Sequence, residues 1–204
     1  MRVGVFGGAG FIGRNLLDAL SVQQMSFLSL DRFAAEGYEG CSKIIDFSDV
    51  GSYEAHLAGL NVVVLLISSS VPNTFTKSIL SEVTSNVLPY ARLLESLRTR
   101  GVERIVYLSS GGGVYGDVGK RAVDETAHTS PVNHYGCAKL MIEEMIRTSA
   151  RLDGWGYTIL RPANPIGRYQ KFVGQGLVPA AIDACLSGKA MTIWGDGTMT
   201  RDYF

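Results

Sequence analysis

The sequence has few cysteines and no excess of charge of either sign. Its 204 residues include three cysteines, Cys41, Cys137 and Cys185, which are odd in number and far apart. This spacing forms neither a disulfide framework nor a CxxC metal site, so we expect free thiols in a reducing compartment. The 19 basic residues balance the 19 acidic ones, which leaves no positive field for nucleic acid or an anionic membrane.

Long hydrophobic runs and clustered histidines are also missing. The most apolar stretch, Val62–Ile67, is far too short to span a bilayer, and no leader of the signal-peptide type precedes the first glycines. The histidines, His56, His128 and His134, have no carboxylate or cysteine partners at ligand spacing. We therefore expect a cytoplasmic protein without a metal site and without a membrane or nucleic-acid partner.

Short apolar runs alternate with longer segments of helical period. The predicted strands are Val3–Gly7, Ser26–Asp31, Ser42–Asp46, Asn61–Ile67, Glu103–Ser109 and Tyr157–Arg161. The predicted helices are Phe11–Ser21, Val50–Ala58, Thr74–Arg100, Tyr135–Leu152 and Val178–Leu186. Continuous apolar strands between helices are typical of a parallel sheet covered on both faces. The pattern predicts an α/β fold with a doubly wound parallel sheet, the Rossmann fold, and an interruption of the third helix at Pro89.

A glycine-rich turn follows the first predicted strand and opens the first helix. Gly7, Gly10 and Gly13 allow a tight turn and a close approach of the backbone to a pyrophosphate. Phe11 and Ile12 begin the helix, whose N-terminal N–H groups then face the anion. An ordinary strand–turn–helix without a ligand is the alternative interpretation.

A carboxylate at the end of the second strand makes the dinucleotide interpretation more specific. Asp31 follows Gly13 by 18 residues, the spacing at which an acidic side chain accepts the ribose hydroxyls of NAD and repels the extra phosphate of NADP. The neighbouring Arg32 could pair with such a phosphate. NAD is therefore favoured, with NADP left open.

A tyrosine and a lysine four residues apart lie on one face of a predicted helix. Tyr135 and Lys139 would thus be neighbours. A free phenol, with a pKa of about 10, is a weak base at neutral pH, but a nearby cation favours its ionised form. The pair is a candidate for general-base catalysis, in which the lysine also holds the nicotinamide ribose. A solvent-facing helical pair is the alternative.

Several segments in a fixed order carry a family resemblance. They are Gly7–Gly13, Ser109–Gly116, Tyr135–Leu140, Leu160–Gly167, Ile193–Gly197 and Thr200–Asp202. Together they resemble the extended short-chain dehydrogenases/reductases, in particular the UDP-glucose 4-epimerase group of the NAD-dependent epimerase/dehydratase family.

The resemblance implies a nucleotide sugar that is oxidised by NAD and then reduced on its other face. Tyr135 would take the proton of a sugar hydroxyl, Asn164 would touch the sugar nucleotide, and Arg201 would bind its diphosphate. Asp46, after the third strand, would lie near the adenine, although a carboxylate that caps its own loop is an equal alternative. The resemblance also implies a homodimer joined through helices at 77–100 and 135–152.

One element departs from the family pattern. The relatives place a catalytic Ser or Thr at the position of Gly111, so Ser110 becomes the candidate catalytic hydroxyl, with a loop-capping serine as the alternative. Dehydratases of the family place Asp-Glu just after that Ser or Thr, whereas this chain has Gly112 and Gly113, so the resemblance favours epimerisation or ketoreduction over dehydration. Two alternatives to an epimerase stay open, a nucleotide-sugar 4-ketoreductase and a non-catalytic NAD-binding module.

The domain organisation follows from the weakening of helical and strand periodicity after Arg161. We expect an NAD-binding Rossmann domain over residues 1–162 and the beginning of a smaller substrate-binding lobe over 163–204. Within the domain, Glu143 and Glu144 follow Lys139 and are interpreted as a solvated helix face.

Overall fold

A computed structural model describes the chain except for residues 71–77, 120, 172–175, 194 and 199. The first residues of the predicted third helix and Trp194 of the predicted Ile193–Gly197 segment lie outside the described residues.

Six parallel strands form one sheet in the order β3-β2-β1-β4-β5-β6. They are β1 (Arg2–Phe6), β2 (Ser26–Asp31), β3 (Ser42–Ile44), β4 (Val62–Leu65), β5 (Arg104–Leu108) and β6 (Gly156–Leu160). Val5 of β1 is paired with Ser29 on one side and Val64 on the other. All six predicted strands are confirmed, each with its ends shifted by no more than a few residues, and so is the doubly wound sheet.

Helices and short turns connect the strands. The α-helices are α1 (Phe11–Val22), α2 (Val50–Tyr53), α3 (Ile79–Glu82), α4 (Leu88–Leu97), α5 (Gly111–Val114), α6 (His134–Asp153) and α7 (Leu177–Ser187), and the 3-10 turns are Glu39–Cys41 and Glu54–His56. The sequence pattern did not predict α5. Within the described part of the chain, no helix has the length and apolar character needed to cross a membrane.

Apolar side chains cover both faces of the sheet, as the continuous strands require. Leu97 and Ile142 lie in the core between the sheet and helices α4 and α6. Leu17 and Leu20 of α1 fill the core on the opposite face. Full burial of one such side chain stabilises the fold by about 1.5–3 kcal/mol. The two layers of apolar side chains therefore hold the sheet, and with it the strand ends that carry the site.

The predicted interruption near Pro89 is present as a π turn at Val83–Val87, just before α4. A proline has no N–H donor, so the carbonyl group four residues earlier loses its helical partner. That group belongs to Ser85, and its oxygen accepts a hydrogen bond from the Ser69 hydroxyl at 3.4 Å. The π turn thus brings the helix into contact with the segment after β4.

The order of the strands reverses between β1 and β4. In open parallel sheets, ligands bind beyond the carboxyl ends of the strands at such a reversal, because the connections there leave in opposite directions. The glycine-rich turn after β1 and the polar segment after β4 meet at this point, where the predicted site lies.

Candidate active site

The glycine-rich turn is too tightly packed for side chains. Gly7 has a φ of +94°, in the region that favours glycine. A Cβ atom on Gly13 would lie 2.1 Å from the Gly7 carbonyl oxygen, and one on Gly8 would lie 2.2 Å from the Ser29 hydroxyl oxygen. Gly10 caps α1 without any side-chain hydrogen bond, so the first N–H groups of that helix remain available to an anion.

Asp31 is oriented by the same turn. One carboxylate oxygen accepts a hydrogen bond from the Ala9 N–H at 3.0 Å, and the other accepts from the Arg32 N–H at 2.7 Å. Each oxygen keeps a second lone pair, which can accept a ribose hydroxyl. Phe11 and Ile12 are half-buried in the first turn of α1. A glycine cradle, an open helix N-terminus and a fixed carboxylate together fit a dinucleotide.

Close packing between α5 and α6 places Tyr135. The Asn133 side chain caps α6 by accepting a hydrogen bond from the Gly136 N–H at 2.8 Å. A Cβ atom on Gly136 would lie 2.1 Å from the Gly113 carbonyl oxygen, so the first turn of α6 presses directly on α5. The Tyr135 ring consequently lies over Gly113, at 3.1 Å from the position of a Cβ atom there.

Ser110, and not position 111, faces the tyrosine. Its hydroxyl oxygen accepts a hydrogen bond from the Gly113 N–H at 3.2 Å and thereby caps α5. The same hydroxyl hydrogen-bonds to Tyr135, so the capping and catalytic interpretations of Ser110 are compatible. A Cβ atom on Gly111 would lie 2.9 Å from the Arg161 carbonyl oxygen, away from the phenol.

Lys139 is buried beside this tyrosine. It is 5% exposed, its ammonium group donates to the Leu108 carbonyl oxygen at 3.1 Å, and Nζ lies 5.7 Å from the centre of the Tyr135 ring. Burial lowers the pKa of Lys139 to about 8, and the charges of Glu82 and Glu143 offset part of that effect.

The phenol is not activated by its protein surroundings alone. Burial raises the pKa of Tyr135 above its ordinary value, the hydrogen bond from Ser110 opposes this rise, and the charge of Glu82 adds to it. The expectation that the lysine and the positive nicotinamide ring together bring the phenol toward useful base strength stays a prediction.

The prediction that Glu143 lies on a solvated helix face is wrong. Its side chain is fully buried, and its two oxygens accept hydrogen bonds from Arg161 at 3.0 and 2.6 Å, from Arg147 at 2.7 Å and from Ser109 at 2.5 Å. Burial alone would raise the pKa of Glu143, but these hydrogen bonds lower it below its usual range. Glu144, its neighbour, is exposed as expected.

A second buried polar group near the tyrosine was missed by the sequence analysis. Glu82 at the end of α3 is 1% exposed, and Asn86 in the π turn is 5% exposed. Together with Ser70 they form a hydrogen-bonded cluster. The available signal was a glutamate and an asparagine at helical spacing within an apolar helix, but their burial depends on how that helix meets β4.

The residues predicted to contact the substrate lie in the C-terminal segment. Asn164 donates from its side-chain nitrogen to the Asp202 carbonyl oxygen at 2.9 Å and forms an isolated parallel bridge with Tyr203. This contact brings Asn164 close in space to Arg201, which is exposed and donates to the Thr200 carbonyl oxygen. Both side chains are therefore open to a ligand.

Asp46 is exposed and caps its own loop. One carboxylate oxygen accepts hydrogen bonds from the Ser48 N–H at 2.9 Å and the Ser48 hydroxyl at 2.7 Å, and these bonds lower the pKa of Asp46. Its predicted contact with adenine stays a prediction. Among the described residues, no group of three or more His, Cys, Asp or Glu could hold a metal ion.

Comparison with known proteins shows which proteins the whole chain resembles. The chain is 32% identical to a putative UDP-glucose 4-epimerase of Methanocaldococcus jannaschii, over 98% of this chain and 68% of that protein. The structure superposes on UDP-glucose 4-epimerase of Thermotoga maritima, crystallised with UDP-glucose, with a TM-score of 0.89 and 30% identity. That match covers 100% of this chain and 69% of the other.

A second solved structure carries the cofactor. UDP-glucose 4-epimerase of Thermus thermophilus, in complex with NAD, matches with a TM-score of 0.87 and 29% identity, over 100% of this chain and 70% of that one. The chain thus spans about two thirds of the length of these relatives. The sequence profile of the NAD dependent epimerase/dehydratase family matches residues 3–204. The chain belongs to this family, whose cofactor is NAD.

Proposed function

We propose that this protein is a nucleotide-sugar epimerase that inverts C4 of a UDP-sugar by transient oxidation with NAD. One observation carries the proposal: Tyr135 lies between the buried cation of Lys139 and the hydroxyl of Ser110, at the sheet edge that holds the glycine cradle. Likeness to UDP-glucose 4-epimerases along the whole chain supports this choice.

The proposed chemistry needs one proton acceptor. Tyr135 accepts the proton of the C4 hydroxyl as the C4–H bond breaks, and returns it to the keto oxygen when the bond is formed again on the other face. NAD, when bound, supplies the acceptor and donor of the hydride. Ser110 holds the phenol oxygen, and Lys139 keeps positive charge beside it. In these roles Tyr135, Lys139 and Ser110 are the proposed catalytic residues.

The residues after Ser110 favour this reaction over elimination of water. Gly112 and Gly113 offer no acidic or basic side chain at the position that dehydration requires, whereas oxidation followed by reduction needs none. Turning the keto sugar over does require that it stay bound between the two steps. Asn164 and Arg201 are proposed to provide that hold, since a guanidinium binds a diphosphate with two parallel hydrogen bonds.

Proton NMR of UDP-galactose, incubated with the protein and NAD, tests the proposed function. We expect signals of UDP-glucose to appear and reach a constant ratio with those of UDP-galactose, with no net reduction of the cofactor. A nucleotide-sugar 4-ketoreductase would instead consume reduced cofactor in proportion to product. Binding of NAD without any change of the sugar would support the non-catalytic module and contradict the proposal.

We also propose a homodimer joined through α4 and α6. The groove between these helices is lined by Leu94 and Met145 together with charged side chains such as Arg98 and Glu144, a mixture that suits an isologous helix-to-helix interface. Light scattering that finds monomer alone would contradict it. A reducing cytoplasm remains the proposed compartment, because three free thiols persist there.

A further inference from the structure

Glu82 is a buried carboxylate that lacks an arginine partner in the described structure. One of its oxygens accepts hydrogen bonds from the Ser70 hydroxyl and the Asn86 side-chain amide, each at 2.8 Å. Both donors are neutral. The other oxygen, Oε1, has no hydrogen-bond partner among the described residues, although its side chain is almost completely buried. Burying a polar atom without a hydrogen-bond partner destabilises the folded state, so such an atom in a native structure needs an explanation.

The unsatisfied carboxylate shares a cavity with the catalytic pair. Glu82, Tyr135 and Lys139 line one narrow space, which Ser68 and Asn86 also border. Between side chains as deeply buried as these, charge is screened less than it is in water. The charge of Glu82 raises the pKa of both catalytic groups, although Glu82 belongs neither to the glycine cradle nor to the proposed sugar contacts.

Among the described residues, the other ionisable groups around Lys139 provide less of this effect than Glu82 does. Tyr90 of α4 and Tyr107 of β5 are buried phenols whose pKa lies well above the ordinary value, because burial disfavours their ionised form. Both stay neutral. Glu143 of α6 also favours the ammonium form of Lys139, but less than Glu82 does, and two cations, Arg161 and Arg147, lie against it.

We propose that Glu82 is a positioning residue for the Tyr135–Lys139 pair, whose buried negative charge keeps Lys139 protonated at neutral pH. The inference rests on the proposed function for its catalytic meaning. The effect of the Glu82 carboxylate on the protonation of Lys139 can be measured whether or not the protein turns over a substrate.

The test is an NMR titration of the protein with isotope-labelled lysine, in the wild type and in Glu82→Gln. The Lys139 signal is assigned by its loss in Lys139→Met. Glutamine keeps the shape and a carbonyl acceptor for Ser70 and Asn86, so the cluster can persist. Removal of the negative charge disfavours the ammonium form, and we expect the pKa of Lys139 to fall by about one pH unit.

The direction of the change separates this role from a merely structural one. If the substitution only loosened the helix and admitted water, the pKa of Lys139 would rise toward that of a free lysine, because burial is what lowers it. A rise, or no change, in Glu82→Gln overturns the proposal. Glu82→Met also lacks the charge, so the pKa of Lys139 must fall in it as well. Ser70→Ala keeps the charge, so in this variant the pKa of Lys139 must stay within a few tenths of a pH unit of the wild-type value.

The titration also distinguishes the two proposals from each other. A fall in the pKa of Lys139 without any conversion of UDP-galactose would support the positioning role and contradict the epimerase. Conversion of UDP-galactose without a fall in the pKa of Lys139 would support the epimerase and contradict the positioning role of Glu82.

Discussion

The cofactor side and the substrate side of the proposed site are held in different ways. Gly7 and Gly13 are buried, and the packing of backbone on backbone sets their positions. Asn164 and Arg201 are exposed and make hydrogen bonds to carbonyl groups of their own segment. The cofactor side is thus organised before any ligand binds. The two residues on the proposed substrate side are open to solvent, so we expect changes there to act on substrate affinity alone.

The largest effect is expected at the group that serves both sides. Tyr135→Phe removes the proton acceptor and keeps the ring over Gly113, so turnover should fall about 100- to 10,000-fold. The affinity for NAD, measured by calorimetry, should stay within about threefold. Tyr157→Phe, at an exposed position, is the matched control. Retained turnover in Tyr135→Phe would contradict the role of Tyr135 as the proton acceptor.

A methyl group in the glycine cradle should act on the cofactor. In Gly13→Ala the new Cβ atom would meet the Gly7 carbonyl oxygen at 2.1 Å, and the turn must shift away from its position. Overpacking of this kind costs about 1–3 kcal/mol, so the Kd for NAD should rise roughly 10- to 100-fold.

The control for the cradle is Gly40→Ala, where a Cβ atom meets nothing within 4 Å. Circular dichroism must show that both variants are folded. Unchanged NAD binding in a folded Gly13→Ala variant would contradict a rigid, preorganised cradle.

A charge removed from the substrate side should have a smaller and more selective effect. Arg201→Ala should raise KM for the UDP-sugar by about tenfold, the size expected for lost hydrogen bonds to a charged group, without changing the Kd for NAD. Lys189→Ala, also exposed in the C-terminal segment, should change neither. A weaker affinity for NAD in Arg201→Ala would show that the two sides are not separable.

The smallest effect is expected at Asp46. Its hydrogen bonds to Ser48 satisfy a loop, so Asp46→Asn should change the Kd for NAD by less than about twofold. Asp31→Asn should weaken it by about tenfold, because a neutral amide accepts ribose hydroxyls less strongly. Equal losses of NAD affinity in the two variants, measured by calorimetry, would support the predicted adenine contact of Asp46.

The sequence predicted the parallel sheet, the tight glycine turn and the place of Asp31 beside it, because the signals for these features are local. Continuous apolar strands, the glycine spacing and the carboxylate of Asp31 lie within short stretches, and each has a direct physical meaning. The α5 turn was missed because three consecutive glycines favour no helix. Ser110 caps the α5 turn, and Gly136 of α6 packs closely against it; these two contacts hold the turn in place.

The two buried glutamates show where local reasoning ends. Glu143 and Glu82 have the sequence signature of exposed helical residues. Glu143 is buried because Arg161, 18 positions later, crosses from β6 to meet it. Glu82 is buried because the π turn brings α3 against the segment after β4. The spacing of polar residues within one helix does not show whether such long-range contacts form. The boundary near residue 162 also remains a prediction.

The most direct test of the central claim uses UDP-galactose that carries deuterium at C4, with NAD present in an amount far below that of the sugar. The account predicts UDP-glucose with the deuterium retained at C4, because the same hydrogen leaves and returns within one bound state. Product whose deuterium has exchanged with water, or unchanged sugar in the presence of bound NAD, would contradict it.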